Sequence, residues 1–185
     1  MTFKRPPRAR PALDFADLER LALGYVSRYA TSRAKLRDYL SRKLTEQGWV
    51  EEGGDWDRAA AREVVEQLVG RFAQLGYVDD RALAEARARS FATRGYGARR
   101  LSGALHALGI DEADAASARL QADENAWDAA LRFARRRRIG PFAEQIPDEA
   151  GRRRAFAAMM RAGHPPELAK AIVGAAPGDV PARDD

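Results

Sequence analysis

Catalysis needs acids, bases, nucleophiles or metal ligands at workable spacing, and this chain offers few of them. Its two histidines, His106 and His164, lie 58 residues apart, and no helical histidine pair with a carboxylate is present to hold zinc. Cysteine is absent, which removes thiolate chemistry and disulfides and fits a reducing compartment. Asp79-Asp80 and Asp111-Glu112 are adjacent acids, but each pair stands at a predicted helix start. Carboxylates there cap free amides and meet the positive end of the helix dipole. Gly95-Tyr96-Gly97 follows no strand, so it lacks the context in which a glycine-rich loop holds phosphate and reads as a helix stop. Both histidines are therefore read as structural, and the sequence predicts no catalytic set, no cofactor and no metal.

Arginine is the residue type left to carry function. Of 32 basic residues 28 are arginine, a planar five-donor group suited to forked hydrogen bonds with carboxylate or phosphate. The net charge of +5 is unevenly placed: residues 1–10 carry four cations and no acid, and residues 126–163 carry nine arginines against four acids. Such asymmetry points to an acidic partner, either nucleic acid or an acidic protein face, although codon bias toward arginine and alanine would leave a similar trace. Candidate contacts are Arg87, Arg94, Arg99 and Arg100 in the middle of the chain, and Arg135, Arg136, Arg138, Arg152 and Arg153 further on. The Arg135–Arg138 run faces several directions on a helix, so two of its side chains at most address one partner.

Helices must position these side chains. The 38 alanines favour helix, whereas valine, isoleucine and threonine together number only 16, too few for a sheet protein. Apolar residues at 45% and charged residues at 32% suffice for a packed core, and no segment approaches 18 uncharged apolar residues. Capping signals divide the chain into nine helices. The first spans Asp14 to Tyr29 with a stripe of Leu18, Leu21, Ala22, Tyr25, Val26 and Tyr29. Thr31 or Ser32 caps the second, which ends at Gly48. Asp55 caps the third after the Gly53-Gly54 turn, with Val64, Val65, Leu68, Phe72 and Leu75 inward. Asp79 or Asp80, Ala98 and Asp111 open the next three. The seventh ends at Gly140-Pro141, Asp148 caps the eighth, and Pro165 or Pro166 starts the ninth.

The second, fifth and eighth helices share one ending, with apolar residues four apart, a glycine four residues on, and then a ring or branched residue. The copies are Leu40-Leu44-Gly48-Trp49, Leu101-Leu105-Gly109-Ile110 and Ala155-Met159-Gly163-His164, with glycines 61 and 54 residues apart. The chain is thus expected to be all-α, with three tandem three-helix repeats over residues 14–76, 77–124 and 125–174. They form an elongated, curved array between a basic arm at 1–13 and a tail at 175–185. A single nine-helix bundle is the competing arrangement.

These residues also resemble the RecX family of recombination regulators. Ala22-Leu23-Gly24-Tyr25, then Ser32-Arg33 and Leu36 to Leu44, and Gly48-Trp49 look like that family's opening. Leu75-Gly76-Tyr77-Val78-Asp79-Asp80-Arg81 before Ala84, and Arg94-Gly95-Tyr96-Gly97 leading into Arg100-Leu101, resemble its most recognisable stretch. The resemblance implies a cytoplasmic, monomeric, non-enzymatic protein that binds RecA and the RecA filament on single-stranded DNA, and lowers its recombinase, ATPase and co-protease activities. The residues alone support a basic helical binder, so the alternative is a helical nucleic-acid-binding protein acting on DNA directly, without RecA.

Overall fold

The computed structural model describes residues 12–49 and 58–182, and among these it holds nine α-helices and no strand. The fold is all-α, in three consecutive helix triplets. The chain separates into two compact units, Met1–Asp79 and Asp80–Asp185. The expected Asp55 cap, the Gly53-Gly54 turn and most of the basic arm lie outside the described residues.

The first unit holds α1 (Phe15–Val26), α2 (Arg33–Gln47) and α3 (Arg58–Gln74). Asp14 and Asp17 form a reciprocal capping box at α1, and the Ser32 side chain accepts the Lys35 amide at α2. Leu18 and Ala22, Leu36, Leu40 and Leu44, and Val65, Leu68 and Phe72 face one another in a single core. Leu13 and Trp49 close this core, joined by a 3.0 Å hydrogen bond from the Leu13 amide to the Gly48 carbonyl. Two expected core positions are instead on the surface: Tyr29 is 59% and Leu75 58% exposed. Both lie past the ends of their helices, where the 3.6-residue period that would aim them inward no longer applies.

The second unit holds α4 (Asp80–Thr93), α5 (Ala98–Ala107) and α6 (Glu112–Glu124), then α7 (Ala126–Arg137), α8 (Glu149–Arg161) and α9 (Pro166–Gly174). Each triplet has its own core. Leu83, Ala84, Ala88, Leu101, Leu105, Ile110, Ala115 and Ala118 form one, and Phe133, Ile139, Met159, Ile172 and Val173 lead the other. Alanines at the α4 and α6 faces let these helices pack closely, because interaxial distance follows side-chain size. Leu101 and Leu105, 1% and 0% exposed, each supply about 1.5–3 kcal/mol of burial, an upper figure because the unfolded chain is itself partly compact.

The shared endings agree in backbone sign and burial, although Gly48 is itself the cap, its amide on Leu44, whereas Gly109 and Gly163 each follow the cap residue. Gly48, Gly109 and Gly163 all have positive φ, at 83°, 68° and 90°, and Trp49, Ile110 and His164 after them are all buried. At Gly76, Gly95, Gly109 and Gly163 the next amide reaches back five residues: Tyr77 to Phe72, Tyr96 to Phe91, Ile110 to Leu105 and His164 to Met159. This bond satisfies a free carbonyl of the last turn, and the paired side chains then meet. Phe72 and Tyr77 rings lie 5.3 Å apart, and Phe91 and Tyr96 rings 5.5 Å. The seventh helix stops earlier than expected. Arg138 takes the left-handed conformation at φ 53° and ends α7, leaving Gly140-Pro141 to a separate 3-10 turn, Gly140–Phe142.

Candidate functional site

The middle and third triplets meet through backbone. The Gly97 amide donates to the Ala162 carbonyl at 2.9 Å, and the Arg99 amide to the Gly163 carbonyl at 3.3 Å, so the start of α5 lies on the turn between α8 and α9. Only glycine fits at this contact. A Cβ on Gly97 would run into the Gly163 carbonyl and come within 2.7 Å of the His164 nitrogen, and one on Gly163 would come within 2.5 Å of the Arg100 nitrogen. His164 lies beneath, fully buried, against the Phe133 ring at 5.6 Å. Its Nε2–H donates to the Gly95 carbonyl at 3.1 Å, and its Nδ1 is buried with no hydrogen-bond partner among the described residues. Burial pushes the His164 pKa below 6.5, partly offset by the bond to Gly95, so the ring is neutral and structural. His106 is exposed on α5.

Above this junction four arginines line a cleft of about 220 Å³: Arg100 from α5, Arg136 and Arg137 from α7, and Arg161 from α8. Two aromatic rings flank three of them. The Arg100 guanidinium lies 3.9 Å from the Tyr96 centroid, and Arg136 lies 5.8 Å from Tyr96 and 5.6 Å from Phe133. Arg136 also donates to the Arg94 carbonyl at 2.6 Å, and Arg132 to the Ala92 carbonyl at 3.3 Å. Both meet the negative end of α4, where free carbonyls favour cations. Among the described residues none of the four cleft arginines is ion-paired with a carboxylate, and no carboxylate, imidazole or thiol lines the cleft. Like charges so gathered repel, and an incoming carboxylate or phosphate relieves that repulsion while accepting forked hydrogen bonds.

Of the arginines singled out from sequence, Arg100 and Arg136 come together in this cleft. Arg94 and Arg99 are exposed beside it in sequence, and Arg87 is exposed on α4. The others are turned elsewhere. Arg135 lies over Phe142 at 4.9 Å and Arg138 pairs with Glu144 at 2.5 Å. Arg152 donates to the Pro147 carbonyl at 3.1 Å, and Arg153 stands 3.7 Å from Glu149. Sequence reasoning passed over Arg132 and Arg161, and counted Arg137 only as a member of the Arg135–Arg138 run. Arg161 did carry a signal, since it stands two residues before the repeat glycine Gly163. The Asp111 carboxylate accepts the Asp114 amide at 2.9 Å as a cap, and Asp80 is buried in the first turn of α4. No group of three potential metal ligands occurs among the described residues, and no described helix is long and apolar enough to cross a membrane.

No protein-family model matches the chain. Curated relatives do. The regulatory protein RecX of Myxococcus xanthus (strain DK1622) is 32% identical over 177 residues, covering 94% of this chain and 91% of that protein. The regulatory protein RecX of Mycobacterium sp. (strain JLS) is 32% identical over 162 residues, covering 84% and 81%. Among solved structures, RecX from Lactobacillus salivarius shares the fold with a TM-score of 0.59 at 17% identity, over 86% of this chain and 94% of that one. A second structure of regulatory protein RecX gives 0.55 at 20% identity, over 86% and 73%. With nearly a third of its residues shared along almost its whole length, the chain belongs to the RecX family of regulatory proteins.

Proposed function

We propose that the chain is a non-enzymatic regulator of RecA, acting in the cytoplasm as a monomer. It binds RecA or the RecA filament on single-stranded DNA, and lowers ATP hydrolysis, strand exchange and co-protease activity. The observation that carries this reading is the 32% identity to a regulatory RecX protein across 94% of the chain. The arginine cleft supports a binding role: four guanidiniums with no carboxylate partner among the described residues favour an acidic surface, and the lining offers no acid–base pair for chemistry. In this reading the repeats at 14–76, 77–124 and 125–174 are the working units, and Arg87, Arg94 and Arg99 extend the contact beyond the cleft.

RecA and single-stranded DNA, with ATP hydrolysis followed as the protein is added, test the reading. A falling rate is expected, and a rate unchanged across a wide excess overturns it. The uneven charge also favours direct action on DNA as a second reading. That reading requires binding to DNA alone that weakens steeply with salt, because neutralised phosphates release counterions.

A further inference from the structure

Between α7, the 3-10 turn, α8 and α9 lies a pocket of about 300 Å³, at the lower end of the size range of small-ligand sites. Its lining is aliphatic. Ile139, Ala143, Pro147, Ala155 and Val173 contribute side chains, and Gly140 and Gly151 contribute none. Among the described residues no aromatic ring lines it, in contrast to the four-arginine cleft with Tyr96 and Phe133. Ile139 and Val173 are buried members of the third triplet's core, and Ala143, Pro147 and Ala155 are half-buried.

Three exposed arginines complete the lining, Arg137 and Arg138 at the end of α7 and Arg154 from α8. Arg138 pairs with Glu144 at 2.5 Å, whereas Arg137 and Arg154 have no carboxylate partner among the described residues. The Arg154 side chain bends toward Gly151, where a Cβ would come within 3.8 Å of its Nη2. Arg138 is also the one non-glycine residue with positive φ among the described residues. That backbone is costly for a residue with a Cβ, and glycine or asparagine commonly takes it at a helix end. Stopping α7 accounts for the conformation but not for an arginine in it, and strain of this kind is retained where the side chain serves a site.

An aliphatic floor beside guanidiniums matches a molecule of two parts, a carboxylate and a short hydrocarbon body. A guanidinium holds a carboxylate through two parallel hydrogen bonds, and the body leaves water as it meets the floor. A nucleotide base would find no ring to stack on, and inorganic phosphate would leave the floor uncovered. The charge suits a monoanion: against three guanidiniums stand Glu144 on Arg138 and the Asp148 carboxylate, which accepts the Gly151 amide, so one positive charge is left over. We propose that this pocket binds a small aliphatic monocarboxylate of about four to eight carbons. The carboxylate lies on Arg138 and Arg154, and the chain against Ile139, Ala155 and Val173. The binding needs neither RecA nor nucleic acid, so it stands or falls apart from the regulatory reading.

Thermal unfolding of the full chain with hexanoate, titrated to about 10 mM, tests this. A dissociation constant of about 1 mM, ordinary for a ligand of this size, raises the melting temperature by about 2–4 °C at the highest concentration. Acetate, which lacks the body, inorganic phosphate, and hexylammonium, which reverses the charge, are expected to leave the melt within about 1 °C at equal ionic strength. Arg138→Gly relieves the left-handed backbone and gives up only an exposed ion pair, so its own melt is expected not to fall, while hexanoate binding weakens about fivefold or more. Arg154→Ala is expected to weaken binding likewise. Ala143→Leu fills the pocket from an extended stretch of backbone without removing charge, so binding falls while the melt without ligand is kept. No rise with hexanoate, an equal rise with acetate, phosphate or hexylammonium, tighter binding of an acetylated peptide ending in leucine, or native-strength binding by both Arg138→Gly and Ala143→Leu each overturns the proposal.

Discussion

The ring of His164 donates its Nε2–H to the carbonyl of Gly95 at 3.1 Å, across 69 residues of chain, and so ties the turn after α4 to the turn after α8. Both partners are buried, and the two glycines beside them, Gly97 and Gly163, bring the backbones too close for any Cβ. The third copy of the repeat ending therefore does more than stop a helix. Its buried residue, a histidine where the earlier copies have Trp49 and Ile110, joins the middle triplet to the last.

Stability should depend on pH through this ring. Burial lowers the folded-state pKa of His164 below 6.5, so above that value neither state binds the proton and the full stability is present. As pH falls from 6.5 toward the lower folded-state value, only the unfolded chain takes up the proton, and stability is lost. Urea midpoints measured between pH 8 and 5 are expected to fall more in the native chain than in His164→Leu. At pH 8 that variant is weaker by about 1–3 kcal/mol, because the Gly95 carbonyl loses its donor. Parallel pH profiles would contradict this account.

Gly97 and Gly103, six residues apart, should respond oppositely to alanine. At Gly97 the new methyl meets backbone on the far side, which cannot swing away, and thermal unfolding is expected to report a loss of about 3 kcal/mol. At Gly103, inside α5, a Cβ meets nothing within 4 Å, and the helix gains about 0.5–1 kcal/mol from the lost freedom of glycine. Equal effects at the two sites would refute the close approach.

Gly109→Val tests the repeat ending in the middle triplet. Gly109 sits at φ 68°, where a β-branched residue is strained by about 1–2 kcal/mol, and the melting temperature should drop accordingly. An unchanged melt would mean that the stop tolerates another backbone conformation.

Arg136 and Arg161 line the same cleft, but only Arg136 also holds the end of α4, through the Arg94 carbonyl. Arg136→Ala is expected to lower both stability, by about 1 kcal/mol, and inhibition of RecA ATP hydrolysis. Arg161→Ala should lower inhibition with stability unchanged within about 0.5 kcal/mol. Chemical denaturation beside the ATPase assay separates the two effects, and a stability loss at Arg161 equal to that at Arg136 would contradict the assignment.

Much of the fold was legible because its punctuation is local. Asp14, Ser32, Asp111 and Asp148 each cap a helix through the amide three residues on, and Gly48, Gly109 and Gly163 each end one, all within a few residues of sequence. Tyr29 and Leu75 were misread because a helical period extended past a helix end still assigns a face, while the backbone there has already turned. Arg138 hid the end of α7, since a left-handed arginine leaves no mark in the sequence as glycine does. The cleft was the least legible feature. Arg100 and Arg161 stand 61 residues apart in sequence and meet only because Gly97 lets α5 approach the turn after α8. A run of four arginines announces charge, but which of them face one point depends on that contact.

We propose that this chain engages RecA through the cleft of Arg100, Arg136, Arg137 and Arg161. Binding of fluorescently labelled protein to RecA filaments, assembled on single-stranded DNA with a non-hydrolysable ATP analogue, decides the matter. Saturable binding by the native chain, weakened about tenfold or more in the double variant Arg100→Ala with Arg161→Ala, is the expected result, since each lost charged contact is worth about 1.5–3 kcal/mol. No binding by the native chain, or equal binding by the folded double variant, would contradict it.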